Sequence, residues 1–474
     1  MPTTAPIRQR AQSGVACAAL VLLSACDSSG GSGSGGSGGG NQIPTACSES
    51  ARKQFTLDVA RSWYLFPDLL PATVNIADFE DAVQLLDHLT ATAREQRKDR
   101  HFSFWTSRSA DNAVLGAGQF NGFGFRVRTE EGNRPFVTEV FESSPAAEAG
   151  LARGDEILAV DAGSGFVPVT DLLADGTTIT EALGPAEVGV RRGLRLSRAG
   201  ASRETAMTKR TLTIDPVSDV YGTRVLPLAG TAGVGYLNLR TFTSSAAPQL
   251  RDAFAQFRAL GLNDFIMDLR YNGGGLVSTS ELLADLLGGA RSLTDVQLRV
   301  EHSPPRASEN FTRRFQPQAQ SVRPVRIAFL TTGASASASE ITINSMAPWV
   351  EVAIVGADTL GKPVGQLAFD LGAKCDDRLR LVTFRTVNAR GQGDYYDGLA
   401  ETLRFACAAT ETLDRPLGDA SEGLVAAALQ WLQTGACGAV IAPAPSASQK
   451  PAGTPSPASR PPASAVEAWL PDVT

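Results

Sequence analysis

Apolar residues recur at helical spacing where the first ordered-looking stretch of the chain begins. Between Ser48 and about Arg100, one repeat carries Phe55, Val59, Trp63 and Leu65 and a second carries Phe79, Val83, Leu85, Leu86 and Leu89. Two amphipathic helices follow from that spacing, parted at the turn around Pro67 and Pro71. From about Leu115 to Asp215 the texture changes to short runs. Phe123-Gly-Phe125 opens one strand, Phe136 to Phe141 alternates into another, and Glu156 to Asp161 makes a third. From Gly230 strands and helices alternate. Strand Val234 to Leu239 precedes helix Ala246 to Leu260; strand Asp264 to Leu269 precedes a helix from about Ser278 to Leu287. The apolar strands Val325 to Leu330 and Val350 to Val355 come next. Such alternation predicts a parallel α/β sheet with crossover helices, whose sites lie at the carboxyl ends of the strands. A strand over Leu379 to Val387 and a helix over Glu422 to Thr434 close the folded part. Pro443 to Ala463 is Pro, Ala and Ser with few large apolar residues, which predicts a disordered tail. No internal repeat is present.

Length and composition narrow the picture. At 474 residues the chain is too long for one ordinary domain, and its 43% hydrophobic content is enough for real cores. A formal charge of -6 leaves no basic footprint, so nucleic acid is not an expected partner. At the start, Arg8 and Arg10 precede a short apolar run, Gly14 to Ala25, that ends in Leu23-Ser-Ala-Cys26. The run is too short to span a bilayer but suits a secretory signal. Leu-Ser-Ala-Cys resembles a bacterial lipobox, which implies a lipid on Cys26 and a membrane anchor facing the periplasm. Asp27 to Gly40 is almost pure Gly and Ser, a flexible tether reaching on the order of 20 Å. Export leaves Cys47, Cys375, Cys407 and Cys437 in an oxidising compartment, where four cysteines can pair in three ways. The expected pairing is Cys375–Cys407 with Cys47–Cys437 joining the ends of the folded body. No Cys-x-x-Cys spacing or histidine cluster occurs, so neither a metal nor another cofactor is expected.

Candidate chemistry concentrates between Thr331 and Gln366. Gly333-Ala-Ser-Ala-Ser-Ala-Ser-Glu340 stands at a predicted strand-to-helix junction, where unpaired backbone N–H groups can receive developing negative charge. None of the three histidines, His88, His101 and His302, lies in the core strands near this cluster, so a Ser-His-Asp triad lacks an obvious base. Lysine is the alternative. Six of the 43 basic residues are lysine, and one of them is Lys362, in Thr359-Leu-Gly-Lys-Pro-Val-Gly-Gln366. Unlike arginine, a lysine can be deprotonated by burial, and a neutral amine beside a hydroxyl can act as general base. Composition cannot choose among Ser335, Ser337 and Ser339. An α/β-hydrolase esterase is disfavoured, because the cluster contains no Gly-x-Ser-x-Gly elbow.

Two resemblances extend this reading. Asn121-Gly-Phe-Gly-Phe125, the Ser144-Pro-Ala-Ala-Glu-Ala-Gly-Leu151 helix and Gly154-Asp-Glu-Ile-Leu158 resemble a PDZ domain of the bacterial protease type. That implies a groove in which backbone N–H groups around Gly122, Phe123, Gly124 and Phe125 take a peptide carboxylate while the peptide adds a strand to a sheet edge. Asp268-Leu-Arg-Tyr-Asn-Gly-Gly-Gly275, the serine cluster and the Lys362 segment, in that order, resemble the carboxyl-terminal processing (tail-specific) peptidases of family S41. The resemblance implies a crotonase-like or ClpP-like α/β core with an inserted PDZ domain and an N-terminal helical cap. By position, Ser337 is the implied nucleophile and Lys362, 25 residues later, the general base. Gln366 orients the amine, and Glu340 and Thr359 support. The implied oxyanion donors are the N–H of Ala338 and one from Gly273 or Gly274. Pro348 stands where some relatives carry an aspartate, so Gln366 is expected to serve alone. The expected organisation is a signal peptide over 1–25, tether 26–45, helical domain 46–110, PDZ domain 111–215, peptidase core 216–440 and tail 441–474. The expected function is a membrane-tethered serine endopeptidase that takes polypeptide substrates by their C-terminal tails. The alternative is a catalytically silent adaptor that binds peptide tails.

Overall fold

A computed structural model of the chain describes residues 47–130, 132–442, 462, 470, 473 and 474. The expected signal, lipid site Cys26 and the whole tether lie outside the described residues, and none of the described helices is long and apolar enough to cross a membrane.

The two expected N-terminal helices are Glu49–Trp63 and Ala82–Glu95, capped by the side chains of Ser48 and Asp81. They pack on each other through Leu57, Ala60, Leu85 and Leu89. This region is more than a cap. After the second helix the strand Phe104–Ser107 pairs antiparallel with Asp377–Val387, at the far end of the sequence. The long strand Asp377–Val387 also pairs with Val364–Asp370 and Val296–His302, which pairs in turn with Phe311–Arg314. Gln366 therefore lies on, and Lys362 just before, a strand of an antiparallel sheet that the N-terminal segment helps to build.

The larger sheet runs in the order Thr223–Leu226, Val234–Asn238, Asp264–Asp268, Arg326–Thr331, Glu351–Gly356 and Phe405–Ala408. All neighbours are parallel except the first pair. Its strands are apolar on both faces because both faces are covered. Phe265, Met267, Ile327 and Phe329 face the helices Ala246–Ala259, Val277–Leu287 and Ala338–Met346. Ile266, Ala328 and Leu330 face the helix Gly423–Thr434, whose Trp431 is fully buried.

Between the N-terminal region and this sheet, Gln119–Gly122 and Arg210–Thr213 form a two-stranded stem. Beyond it stands a sheet in the order Phe125–Glu130, Arg134–Val140, Glu156–Asp161, Arg191–Arg198 and Ala201–Thr208. Phe125–Glu130 forms one edge of it.

The disulfides differ from the expected pairing: they are Cys47–Cys375 and Cys407–Cys437. Chain ends and spacing do not decide this; strand neighbours do. Cys375 sits in the turn between the strands Val364–Asp370 and Asp377–Val387, and the helix that follows Cys47 packs on the second of these. Cys407 lies on a strand bridged to Val440, which brings Cys437 beside it. The tail also departs from expectation in its described part. Leu470, Val473 and Thr474 are buried rather than disordered.

Candidate active site

Three residues set the serine turn apart from an ordinary helix start. The strand Arg326–Thr331 ends just before it, and the helix Ala338–Met346 begins just after Ser337. Ser337 itself has φ +53° and ψ −114°, a conformation L-residues rarely adopt. The hydroxyl of Ser335 donates to the Leu269 carbonyl at 2.7 Å, and that of Ser339 to the Asn272 carbonyl at 2.8 Å. Both flanking serines thus fasten the turn to the segment that follows strand Asp264–Asp268. The middle serine occupies the strained position at the helix N-terminus.

Glu340 joins this turn to the lysine turn. Its Oε2 accepts from the N–H of Ser337 and from the N–H of Lys362, each at 2.8 Å, so the two nitrogens lie no farther apart than twice that distance. Its Oε1 accepts from the Gly361 N–H at 2.7 Å. The Leu360 N–H adds a further tie, to the Ser335 carbonyl at 2.9 Å. Burial pushes the Glu340 carboxyl up, against the pull of the Thr359 hydroxyl and these three N–H groups. Thr359 also accepts from the Leu399 N–H at 3.0 Å. Glu340 and Thr359, both expected to support the site, hold the serine and lysine backbones in one frame.

The Lys362 side chain is almost completely buried, with 6% of the residue exposed. Desolvation pulls its amine down from an ordinary 10.5 to about 8, opposed by Asp99 and Glu340 and reinforced by Arg380 and Arg100. Nζ donates to Gln366 Oε1 at 3.2 Å and sits 5.0 Å from the centre of the Phe102 ring. The Gln366 amide nitrogen donates in turn to the Phe102 carbonyl, which fixes which end of the amide faces the lysine.

Phe102, Asp99 and Arg100 were not singled out from the sequence. The Asp99 carboxylate accepts from the N–H groups of Phe102 and Ser103 at 2.8 and 3.0 Å, and from the hydroxyls of Ser103 and Tyr64. Arg100 donates to the carbonyls of Leu360 and Gly361 at 2.6 and 2.8 Å, and burial lowers its own value to about 10. The only signal in the sequence is the charged run from Arg94 to His101, ending against the aromatic stretch Phe102-Ser-Phe-Trp105.

The glycine run approaches the serine closely. A Cβ on Gly274, whose φ is +109°, would stand 2.8 Å from the Ser337 Cβ and 3.0 Å from the Ala338 nitrogen. The Gly274 N–H is spent on Asn272 Oδ1 at 2.9 Å, so of the two expected glycine donors Gly274 is the spacer. The Ala338 N–H is the first of the helix, and Gly273 is the expected glycine donor that is not committed to Asn272 Oδ1.

In the smaller domain, Phe123 and Phe125 are fully buried with Val137, Leu151, Ile157 and Leu194. Their side chains build the core, which leaves the backbone of Gly122 to Phe125 as the part of the loop expected to meet a peptide. That backbone comprises the N–H groups of Gly124 and Phe125 and the outer edge of the strand Phe125–Glu130. Gly122 leaves the groove wall open where a Cβ would intrude.

Residues 233–400 match the model of Peptidase family S41, and residues 115–173 match the PDZ domain. The α/β core is an S41 peptidase fold. A carboxy-terminal-processing protease of Bartonella bacilliformis is 27% identical over 60% of this chain and 61% of its own length. A carboxyl-terminal-processing protease of Synechocystis is 26% identical over 54% of this chain and 56% of its own. The chain thus spans about three-fifths of the length of the curated relatives it matches. A putative S41 protease of Bacteroides fragilis superposes with a TM-score of 0.63 at 25% identity, over 80% of this chain and 96% of that one. Its breadth covers more than the matched segment 233–400. In the S41 core, the serine turn, the lysine turn and the glycine run are contributed by different strands and meet at one end of the parallel sheet.

Proposed function

We propose that this chain is a serine endopeptidase in which Ser337 is the nucleophile and Lys362 the general base. The observation that carries the reading is the Glu340 carboxylate shared by the Ser337 and Lys362 N–H groups, next to a buried amine held near 8. An amine poised there is neutral in useful amount near neutral pH. It takes the Ser337 Oγ proton as Oγ bonds to the substrate carbonyl carbon. The carbonyl oxygen becomes an oxyanion received by the N–H groups of Ala338 and Gly273. The ammonium then returns the proton to the departing amine as the peptide C–N bond breaks, leaving an ester that water hydrolyses with the same base. Gln366, fixed by the Phe102 carbonyl, aims the amine. Polypeptides enter by their C-terminal tails, whose carboxylates meet the N–H groups of Gly124 and Phe125 in the PDZ groove.

Cleavage of casein and of a tail-bearing peptide tests the dyad. Ser337→Ala and Lys362→Ala are expected to lose turnover by roughly 10³-fold or more while retaining tail binding; activity in Ser337→Ala equal to the wild type would sink the nucleophile assignment. The same proposal places the enzyme on a bacterial membrane, facing the periplasm, through lipid on Cys26. Cys26→Ser is expected to leave the membrane fraction for the soluble one.

A further inference from the structure

The PDZ groove already has an occupant. Residues Val473 and Thr474 lie along the outer edge of Phe125–Glu130. An oxygen of Thr474 accepts from the Gly124 N–H at 2.7 Å and, more loosely, from the Phe125 N–H at 3.4 Å. The Thr474 N–H donates back to the Phe125 carbonyl at 3.0 Å, and Val473 bridges antiparallel to Arg126. This is strand addition on the donors that a substrate tail would use. A Cβ on Gly122 would collide with the Thr474 carbonyl carbon at 2.8 Å, so the glycine opens the wall on which this residue rests.

Burial adds an apolar component. Leu470 is 1% and Val473 9% exposed, and both share a cluster with Phe120, Phe141, Phe104 and Leu276. The last two carry the contact out of the PDZ domain. Phe104 follows the segment that orients Gln366, and Leu276 follows the glycine run beside Ser337. Pro462, eight residues before Leu470, lines a small cavity with Ser103 and Phe104. Described points of the tail therefore touch the groove and, at Pro462, a cavity lined by the helix Ala82–Glu95 and by Ser103, Phe104 and Trp105.

We propose that the tail residues Leu470, Val473 and Thr474 occupy the PDZ groove in cis and compete with substrate tails. The proposal rests on the tail-binding reading of the groove. A tethered segment acts at an effective concentration on the order of millimolar, so a substrate tail must displace it before the groove can engage. Thr474 also shows what the groove prefers. Its Oγ1 is buried and has no hydrogen-bond partner among the described residues, so an isosteric methyl would fit the same space better.

The test uses the Ser337→Ala full chain, so that no peptide is consumed, and a fluorescent Ala-Trp-Leu-Pro-Asp-Val-Thr peptide with a free carboxylate. Binding is measured by anisotropy to that chain, to the same chain ended after Trp469, and to full-length Ser337→Ala/Val473→Asp. Val473→Asp vacates the groove without shortening the chain, so it carries the comparison where truncation impairs folding. Binding roughly tenfold or more tighter to the two altered chains than to the intact tail is the expected result. Equal binding to all three overturns self-occupancy and leaves the tail-binding groove standing. Binding to none of them overturns both. A Thr474→Val tail is expected to weaken peptide binding further; a peptide that binds this chain more tightly counts against the assigned pocket.

Discussion

At the level of single residues, the decisive quantity is the proton on Lys362. Burial lowers its amine to about 8, and a base works only in its neutral form, so kcat/KM is expected to rise with pH through a midpoint near 8. Folding is linked in the same direction. The unfolded chain holds this proton up to about 10.5 and the folded chain releases it near 8, so the contribution of Lys362 to stability grows as pH rises between the two. Gln366→Glu offers a sharper check. A carboxylate at hydrogen-bond distance favours the ammonium and should raise the lysine by about one unit or more. The activity profile then moves to higher pH, with roughly tenfold less turnover near neutrality and recovery in alkaline buffer. An unshifted profile would show that Gln366 does not govern the base. Lys362→Arg is expected to be as inactive as Lys362→Ala, because guanidinium does not give up its proton in this range.

The scarcity of lysine did less than its use in the sequence suggested. Lys209 is equally buried, donates to the carbonyls of Gly184 and Pro185 and is also pulled down to about 8, yet it sits inside the PDZ domain as a structural donor. What distinguishes Lys362 is the tie of its backbone to the serine turn through Glu340 and the bond of its amine to Gln366. At the level of elements, those contacts are made by loops at the ends of strands and are coordinated by one carboxylate. Glu340→Gln keeps the shape but turns an NH₂ group toward N–H donors, so about 1–3 kcal/mol of turn geometry is lost. The expected signature is a lower kcat with KM largely retained, because binding in the groove is remote from the change; a proportional rise in KM would contradict the role assigned to this clamp. Gly274→Ala, with its Cβ forced to 2.8 Å from the Ser337 Cβ, should disturb the serine directly and abolish most turnover. The serine, lysine and glutamine were legible because each motif is local and their order is specific. Asp99, Arg100 and Phe102 were not, since they come from a stretch whose periodicity reads as helix packing and meet the lysine only through the antiparallel sheet. The disulfide pairing failed for the same reason: Cys407 finds Cys437 through a bridge that no spacing announces.

Across the whole molecule, buried charge ties the PDZ domain to the end of the core that carries the glycine run. Glu411, in the loop after Phe405–Ala408, accepts from Arg128 and Arg153 of the PDZ domain at 2.6 and 2.7 Å and from Arg270 of the core at 3.0 Å. The Tyr271 hydroxyl donates to it as well, and Tyr271 stands two residues before Gly273. Burial pushes the Glu411 carboxyl up, but Arg270, Arg153 and Arg128 together hold it well below the usual carboxylate range. A second knot, Glu139 and Glu142 with Arg240, ties another PDZ surface to the core. Movement of the PDZ domain on engaging a tail would thus strain the segment Arg270–Gly273. Glu411→Gln removes one charge from a hub of three guanidiniums, which costs about 3 kcal/mol, with the partly exposed Arg128 contributing least. Two outcomes are expected. The melting temperature falls, and turnover of tail-bearing substrates drops while tail affinity holds. Because the folded value of Glu411 is depressed, its stabilisation is complete above the ordinary 4.5 and is lost as pH falls below it. The gap in melting temperature between wild type and Glu411→Gln should therefore be wide near neutrality and close in acid. A gap that stays constant across that range would mean that this carboxylate does not hold the two domains together.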